Sequence, residues 1–384
     1  MDSGSGGIKA GNEKLPLETG DGNHHHLHLH NQFFQHPLKM VLLFAAVALS
    51  CLVLYHSAYP FEFFPSSYNP SSAAANLSSP VKHKEDSDLE SVLKKASTAD
   101  KTVILTTLNE AWAAQNSVFD IFLDSFRIGN GTSRFLKHLV VIALDQKAYT
   151  RCSAIHPHCY TLSTDGIDFS GEAVFMTQDY LKMMWRRIDF LRTVLDLGYN
   201  FVFTDADIMW FRDPFQHFYG DADFQIACDY FKGSSSDLNN YPNGGFNYVK
   251  SNTRTTHFYR FWYTSREKYP DMHDQDVLNM IKHDPYLTKI GLHIRFLDTR
   301  FYGGFCEPSR DFNEVCTMHA NCCVGLENKI HDLRIMLDDW RKYKSLPPNQ
   351  RALNRLSWRV PQDCRTSFKT LHTPNKNETQ KTKS

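Results

Sequence analysis

The sequence predicts an α/β domain with a mostly parallel mixed sheet, and two features support this prediction. Short apolar runs at residues 102–107, 139–144 and 200–204 have the length and the β-branched or aromatic composition of buried strands. Residues 180–197 have a helical pattern with five apolar side chains on one face: Leu181, Met184, Ile188, Leu191 and Leu195. Strands that alternate with helices favour a parallel sheet with helices on both faces and ligands at the carboxyl ends of the strands.

The other elements follow in chain order. A helix is predicted at residues 111–126, directly after the first strand. Beyond residue 205 the pattern becomes irregular and predicts strands at 224–228, 246–249 and 294–297, a turn at 242–245, and helices at 255–267, 275–282 and 333–343. We therefore expect one folded domain over residues 101–370.

An uncharged segment at residues 40–55 precedes this domain. With its weakly polar flank to residue 58 it would extend about 27 Å as a helix, which suits a signal anchor in a thin early secretory membrane. A cleaved signal peptide and a buried helix are the alternatives. We expect a disordered cytosolic tail at residues 1–39, a transmembrane anchor at 40–58, a stem too polar to fold at 59–100, and a disordered tail at 371–384.

The net charge bears on the partners of the chain, whereas its cysteines and glycosylation acceptors agree with a secretory location. The 42 basic and 42 acidic residues balance, so charge alone suggests no nucleic-acid partner. Eight of the nine cysteines lie beyond the predicted anchor, as do three glycosylation acceptors at Asn76, Asn130 and Asn377. We expect the cysteines to be at least partly paired in an oxidising lumen, and the adjacent Cys322 and Cys323 to have partners elsewhere.

One pair of carboxylates stands out among four Asp-x-Asp patterns. Only Asp205 and Asp207 directly follow a predicted buried strand. Carboxylates in that position are costly to desolvate unless they are paired or bound to a cation, and hard oxygen ligands suit Mg²⁺ or Mn²⁺. A turn in which both side chains accept backbone N–H groups is the alternative.

Seven blocks of sequence follow one another between residues 104 and 325: ILTTLNEAWA, YLKMMWRRIDFL, NFVFTDADIMWFRDPF, YPNGGFNYVKSN, HDQDVLN, RFLDTRFYGGFC and HANCCVG. In this order they resemble the plant nucleotide-diphospho-sugar transferase domain of glycosyltransferase family 77. The resemblance implies a Rossmann-like GT-A fold, a nucleotide-sugar donor such as a UDP-sugar, dependence on Mn²⁺ or Mg²⁺, and a retaining outcome. Together with the predicted anchor, it leads us to expect a Golgi membrane protein of type II topology that glycosylates a cell-wall polysaccharide or a glycoprotein.

The resemblance assigns roles to the residues that match it. Asp205 would contact the ribose or the metal, Asp207 would bind the metal, and His319 would be the third protein ligand. A core or surface histidine is the alternative for His319. Lys329 lies near the place where many retaining enzymes of this fold have a diphosphate-binding lysine, and a solvated lysine at a helix end is the alternative.

Two groups of candidates flank the nucleotide. Hydroxyl and amide groups at the end of the first strand would bind uracil and ribose, or would cap the next helix: Thr106, Thr107 and Asn109. Two cations beside the apolar stripe of the helix at 180–197 would face the phosphates, or would be ordinary surface charges: Lys182 and Arg186.

Two further groups are candidates for the sugar. Glycines would let the backbone approach the sugar, or would form a plain hairpin turn: Asn243, Gly244 and Gly245. The residues that begin the helix at 275–282 would be catalytic and contact the donor sugar or the acceptor, or would only cap the helix: Asp274 and Gln275.

Two other functions share part of this pattern. An inert Golgi scaffold or sugar-binding protein could keep this fold, but it has no need to retain Asp205, Asp207 and His319 together. A haloacid-dehalogenase-like phosphatase also has an Asp-x-Asp pattern after a strand. That family has Thr or Val two positions after the second Asp, where this chain has Met209.

Overall fold

The computed structural model describes residues 84–372, except 163, 165–168, 173–175 and 354–355. The predicted tail at 1–39, the predicted anchor at 40–58, and most of the predicted stem and of the C-terminal tail lie outside these residues. Within the described part of the chain, no helix combines the length and the apolar composition that a membrane span requires.

In the part of the chain that the structure describes, ten strands form two sheets. They are β1 (Thr102–Leu108), β2 (Leu139–Ala143), β3 (Cys159–Thr161), β4 (Asn200–Thr204), β5 (Ile208–Trp210), β6 (Phe224–Tyr230), β7 (Tyr241–Val249), β8 (Ile294–Phe296), β9 (Tyr302–Gly304) and β10 (Thr317–His319). Seven of them form the central sheet in the order β3–β2–β1–β4–β7–β6–β8, and the other three form a small sheet in the order β5–β10–β9.

The direction of the strands decides which ends meet. Strands β1 to β4 are parallel, β7 is antiparallel to both β4 and β6, and β6 is parallel to β8. It follows that β6 runs in the same direction as β1 and β4, so the carboxyl ends of all three lie at one edge. The mixed, mostly parallel α/β sheet predicted from the sequence is confirmed.

Helices cover both faces of the central sheet. The α-helices are α1 (Lys84–Ala96), α2 (Glu110–Ala113), α3 (Val118–Ile128), α4 (Gln146–Ile155), α5 (Gln178–Asp196), α6 (Thr253–Ser265), α7 (Asp274–Ile281), α8 (Pro285–Lys289), α9 (Leu326–Ser345), α10 (Pro348–Ala352) and α11 (Asp363–His372). One core contains α1, α5, α6 and α7 with large buried side chains such as Trp262. The other contains α3, α9 and the small sheet, including Trp210 and Trp340.

Helix α1 corrects the predicted stem. It lies within residues 59–100, yet its side chains Leu89, Leu93 and Ala96 are 2% exposed or less and belong to a core of the domain. The prediction was wrong over residues 84–96 because it used the average polarity of the segment. The apolar residues recur at helical spacing, so one narrow stripe is buried although the segment as a whole is charged.

Two local predictions were also wrong. The helix predicted at 111–126 is split into α2 and α3, because Asn116 has a left-handed backbone with φ of 63°. The turn predicted at 242–245 lies inside β7, where irregular pairing with β6 accommodates its proline and glycines. The chain reverses direction between β6 and β7 instead, where the Asn240 side chain bonds three backbone groups of the loop.

Three disulfides confirm that the cysteines are partly paired. They join Cys152 with Cys159, Cys306 with Cys322, and Cys323 with Cys364. The adjacent Cys322 and Cys323 thus have separate partners, as expected. Cys228 and Cys316 are free and buried. Burial raises the pKa of the Cys316 thiol to about 12.

Candidate active site

Asp205, Asp207 and His319 meet at the carboxyl edge of the central sheet. The two aspartates lie between β4 and β5, and β10 pairs antiparallel with β5 so that His319 is opposite Ile208. The ladder continues past this pair, since the Ala320 N–H donates to the Asp207 carbonyl at 3.1 Å. The three side chains each offer one ligand atom, and these atoms lie within 4.8 Å of one another.

The surroundings of this triad fit a divalent cation. Asp207 is 1% exposed, and its Oδ1 has no hydrogen-bond donor among the described residues, although His319 Nε2 lies 3.2 Å away. A buried carboxylate oxygen without a donor is costly unless a cation binds it. Gly245 keeps the space open, since a Cβ there would lie 2.6 Å from both Asp205 Oδ2 and His319 Cε1. Two carboxylates and an imidazole form a donor set that suits Mn²⁺.

Two cations balance the acidic side chains. Lys329 Nζ donates to Asp207 Oδ2 at 2.5 Å, and Arg187 donates to Asp205 at 3.0 Å and to Asp274 at 2.6 Å. Burial raises the pKa of Asp205, and Arg187 offsets only part of this effect. Burial acts in the same direction on Asp207, but Lys329 and His319 outweigh it and lower the pKa of that carboxyl. For Asp274, Arg187 and His273 outweigh burial and hold the pKa at about 2.

Two cavities adjoin at the triad. The first, of about 340 Å³, is lined by Thr107, Asn109 and Trp112 near the end of β1 and by the first residues of α9. The second, of about 380 Å³, is lined by β7, α7 and the segment after β10. Arg187, Asp205 and Lys329 line both, so the charged residues lie between them. A separate cavity of about 590 Å³ between α1, β3 and α5 contains none of the triad.

Comparison with known proteins identifies the family. The family model described as nucleotide-diphospho-sugar transferase matches residues 134–333, which is more than half of the chain. The chain belongs to this family. An uncharacterised Arabidopsis thaliana protein is 56% identical over 290 residues, covering 75% of this chain and 77% of its own length. The family resemblance predicted from the sequence is confirmed, and the protein is a glycosyltransferase.

Relatives with a named activity are more distant. A UDP-D-xylose:L-fucose alpha-1,3-D-xylosyltransferase of Arabidopsis thaliana is 26% identical over 190 residues, covering 50% of each chain. Among solved structures, a glycosyltransferase involved in the glycosylation of the major capsid of PBCV-1 aligns with 10% identity and a TM-score of 0.36. That alignment covers 61% of this chain and 98% of the other.

Several predicted site residues of the transferase line the two cavities. The larger of the two contains Asn243, Gly244, Gly245, Asp274, Gln275 and Lys329. Lys329 is 17% exposed and paired with Asp207, so it is not the solvated lysine of the alternative interpretation. Helix α7 is capped by His273, whose Nδ1 accepts from the Gln275 N–H, so neither Asp274 nor Gln275 is the N-cap.

Two of the three residues predicted to bind the nucleotide at the end of β1 line a cavity. Thr107 and Asn109 line the smaller cavity, whereas Thr106 is fully buried and lies outside both linings. Successive side chains of a strand point to opposite faces, which separates Thr106 from Thr107. Asn109 also caps α2, because its Oδ1 accepts from the Trp112 N–H and its Nδ2 donates to two backbone carbonyls.

Lys182 and Arg186 do not reach the site, and Arg187 occupies the place expected for them. Lys182 is half exposed and pairs with Asp179, whereas Arg186 pairs with Asp189 and lines the separate cavity. Both lie on the face of α5 opposite its buried stripe. Arg187 is about 100° further round the helix and therefore flanks that stripe. The expectation for Lys182 and Arg186 is corrected accordingly.

Asp229 and Asn321 belong to the site but were not predicted from the sequence. Both line the larger cavity, where their side chains are hydrogen-bonded to each other at 2.7 Å. A signal for each was present. Asp229 lies near the carboxyl end of β6, which shares its edge with β1 and β4, and Asn321 is two positions beyond His319.

Proposed function

We propose that this glycosyltransferase moves a sugar from a UDP-sugar to a glycan or glycoprotein acceptor, with Mn²⁺ or Mg²⁺ held by Asp205, Asp207 and His319. The observation that carries the proposal is the convergence of these three ligand atoms around a space that Gly245 leaves open. A bound divalent cation supplies positive charge that stabilises the diphosphate as it leaves the anomeric carbon.

The smaller cavity suits the nucleoside and the diphosphate. Trp112, Thr107 and Asn109 line it together with Asp205 and Asp207. Helix α9 begins at this cavity, and its first N–H, at Leu326, already donates to a carboxylate, Glu172, at 2.9 Å. A helix N-terminus favours anions, and Lys329 in the first turn adds a full positive charge. These groups would hold the diphosphate and would stabilise the charge that develops on it.

The larger cavity suits the transferred sugar. Arg187 holds the Asp274 carboxylate, whose pKa of about 2 keeps it ionised and able to accept from a sugar hydroxyl. Gln275 lies beside it and is fixed by the Gly244 N–H at 2.9 Å. Asp274 is engaged by Arg187 at 2.6 Å, which favours a positioning role over nucleophilic attack. We therefore propose retention by front-face attack, in which the leaving phosphate accepts the proton of the acceptor hydroxyl.

The GT-A assignment, the acceptor and the location remain parts of the proposal. The mostly parallel sheet with an Asp-x-Asp pair after β4 supports a GT-A fold. Relatives named as xylosyltransferases that use UDP-D-xylose support a neutral UDP-sugar as donor. The three disulfides, together with the apolar segment at 40–58, support a Golgi luminal domain with type II topology.

A panel of UDP-sugars tests the proposal. The purified protein is incubated with UDP-xylose, UDP-galactose, UDP-glucose and UDP-arabinose, with Mn²⁺ or with EDTA, and released UDP is measured. We expect release from at least one donor, loss of release with EDTA, and recovery when Mn²⁺ is added back. Binding of UDP without any release or transfer would favour the inert scaffold instead. The anomeric configuration of a transfer product, read by NMR, tests retention.

A further inference from the structure

The carboxylate of Asp229 accepts hydrogen bonds from three carboxamide side chains in the larger cavity. Its Oδ1 accepts from Asn321 Nδ2 at 2.7 Å and from Asn243 Nδ2 at 2.9 Å, and its Oδ2 accepts from Gln275 Nε2 at 3.0 Å. The four side chains come from β6, the segment after β10, β7 and α7, which are separate parts of the chain. All four line the same cavity.

The oxygen of each carboxamide is also fixed. Asn243 Oδ1 accepts from the Gly245 N–H, and Gln275 Oε1 from the Gly244 N–H, both at 2.9 Å. Asn321 Oδ1 accepts from the Cys306 N–H at 3.2 Å. An ionised carboxylate only accepts hydrogen bonds and a backbone N–H only donates them. The orientation of all three amides is therefore set by chemistry, with every nitrogen towards Asp229.

This arrangement leaves unused donors in the cavity. A carboxamide nitrogen has two N–H groups, and only one on each amide is bonded to Asp229. In the part of the chain that the structure describes, the second N–H of each amide has no hydrogen-bond acceptor. Asn243 and Asn321 are 7% and 8% exposed, so these donors are poorly hydrated and suit a ligand rich in hydroxyl groups.

The charge of the cluster restricts the ligand further. No lysine or arginine of the described chain forms an ion pair with Asp229, and the two cations of this cavity, Arg187 and Lys329, are engaged by Asp205, Asp274 and Asp207. A ligand with its own carboxylate would be repelled by Asp229. Neutral sugar hydroxyls can both donate to Asp229 and accept from the amides.

We infer that Asp229 is a positioning residue. It orients the side-chain amides of Asn243, Gln275 and Asn321, which line the cavity, so that they can bind the hydroxyl groups of a neutral sugar unit. The inference rests on the proposed function, because it assigns the larger cavity to the sugar part of the donor. Asp229 acts through the three amides. Among the described residues, none of Asp205, Asp207 and His319 is hydrogen-bonded to its carboxylate.

Asp229→Asn tests this role with little change in shape. The new amide has one acceptor oxygen and a nitrogen that donates, so at least one of the three carboxamides faces another N–H group. That carboxamide must rotate or move away. Asp221→Asn is the matched control, because the Asp221 side chain is 57% exposed and, among the described residues, forms its ion pair with Arg295.

Calorimetry in the presence of Mn²⁺ compares UDP with UDP-xylose, UDP-galactose, UDP-glucose and UDP-arabinose. The donor that wild type binds with the largest gain over UDP serves as the probe. We expect Asp229→Asn to weaken binding of this probe by about tenfold or more. Binding of UDP should stay within about twofold, and Asp221→Asn should resemble wild type in both measurements.

The outcomes separate the inference from the function on which it rests. If wild type binds no UDP with Mn²⁺, the proposed function fails. If UDP binds but no sugar of the panel adds affinity, the cavity is not a neutral-sugar site and the inference is wrong. An Asp229→Asn variant that binds the probe as wild type does, or that loses UDP and probe equally while remaining folded, also overturns the inference.

Discussion

Adding one methyl group at Gly245 should impair the metal site, and the neighbouring Gly244 provides the control. A Cβ at residue 245 would lie 2.6 Å from Asp205 Oδ2, 2.6 Å from His319 Cε1 and 2.9 Å from Asn243 Oδ1. A Cβ at residue 244 would have its nearest neighbours at 3.5 to 3.9 Å, which are ordinary contacts. Neither glycine has a left-handed backbone, so alanine is compatible with the backbone at both positions and only the contacts differ.

The size of the effect follows from those contacts. Overpacking of a filled site costs about 1–3 kcal/mol, and here the groups that must move are two of the proposed metal ligands. If the strain is present only when Mn²⁺ is bound, the affinity for Mn²⁺ drops by roughly 5- to 150-fold, because 1.4 kcal/mol corresponds to a tenfold change in Kd. Gly244→Ala should be neutral, or more stable by up to about 1 kcal/mol, because alanine restricts the unfolded chain.

Calorimetric titration of Mn²⁺ in the presence of UDP, together with thermal denaturation, checks both variants. We expect Gly245→Ala to lose Mn²⁺ affinity while its unfolding stays cooperative, and Gly244→Ala to keep the affinity of wild type. Equal Mn²⁺ affinities in the two alanine variants would refute the reasoning, since the metal would then not lie between Asp205 and His319.

Three other predictions test separate parts of the argument. His319→Ala should lower UDP release by roughly 100-fold, a cost of about 3 kcal/mol, with little change in melting temperature. Secretion of a chain that starts at residue 98 should yield aggregate, whereas a start at residue 80 should yield folded protein, because helix α1 (Lys84–Ala96) covers a core. Hydrogen bonds from Arg254, His293 N–H and Asn252 outweigh burial and lower the pKa of Asp223. This contribution to stability is present above the unfolded pKa of about 3.9 and is lost as pH falls through the folded pKa. The difference in melting temperature between wild type and Asp223→Asn should therefore be largest near neutral pH and shrink below about pH 4.

The elements predicted most accurately from the sequence are those with a regular pattern of apolar residues along a short stretch of chain. Strands β1, β2 and β4 and helix α5 were visible because each buries a regular run or stripe of apolar side chains. Asp205 and Asp207 were found for the same reason, since they directly follow such a strand. Errors arose where the pattern is irregular or narrow, as at the interrupted helix after β1, at the glycines inside β7 and at the single apolar stripe of α1.

Contacts between distant parts of the chain could not be read from local pattern. His319 is 112 positions beyond Asp207, and only the pairing of β5 with β10 brings it back. The family resemblance suggested His319, but no periodicity did. Arg187 was missed although its helix was predicted, because its role depends on how far the helix is rotated on the sheet. A rotation of about 100° exchanges Arg186 for Arg187.

Arg187 couples the effects of substitutions at Asp205 and at Asp274, because it pairs with both carboxylates. Its guanidinium is 6% exposed and bonds Asp205 in the proposed metal cluster and Asp274 in the proposed sugar cavity. Burial alone would lower the pKa of Arg187, but the two carboxylates outweigh it and raise the pKa. Removing either carboxylate leaves a buried cation with one partner, so its other interaction strengthens. Substitutions at Asp205 and Asp274 therefore cannot be additive, and couplings of about 0.5–3 kcal/mol are typical of such networks. If a substitution at Asp205 weakens sugar binding, the effect can therefore pass through Arg187 and Asp274. Such a loss is not evidence that Asp205 contacts the sugar.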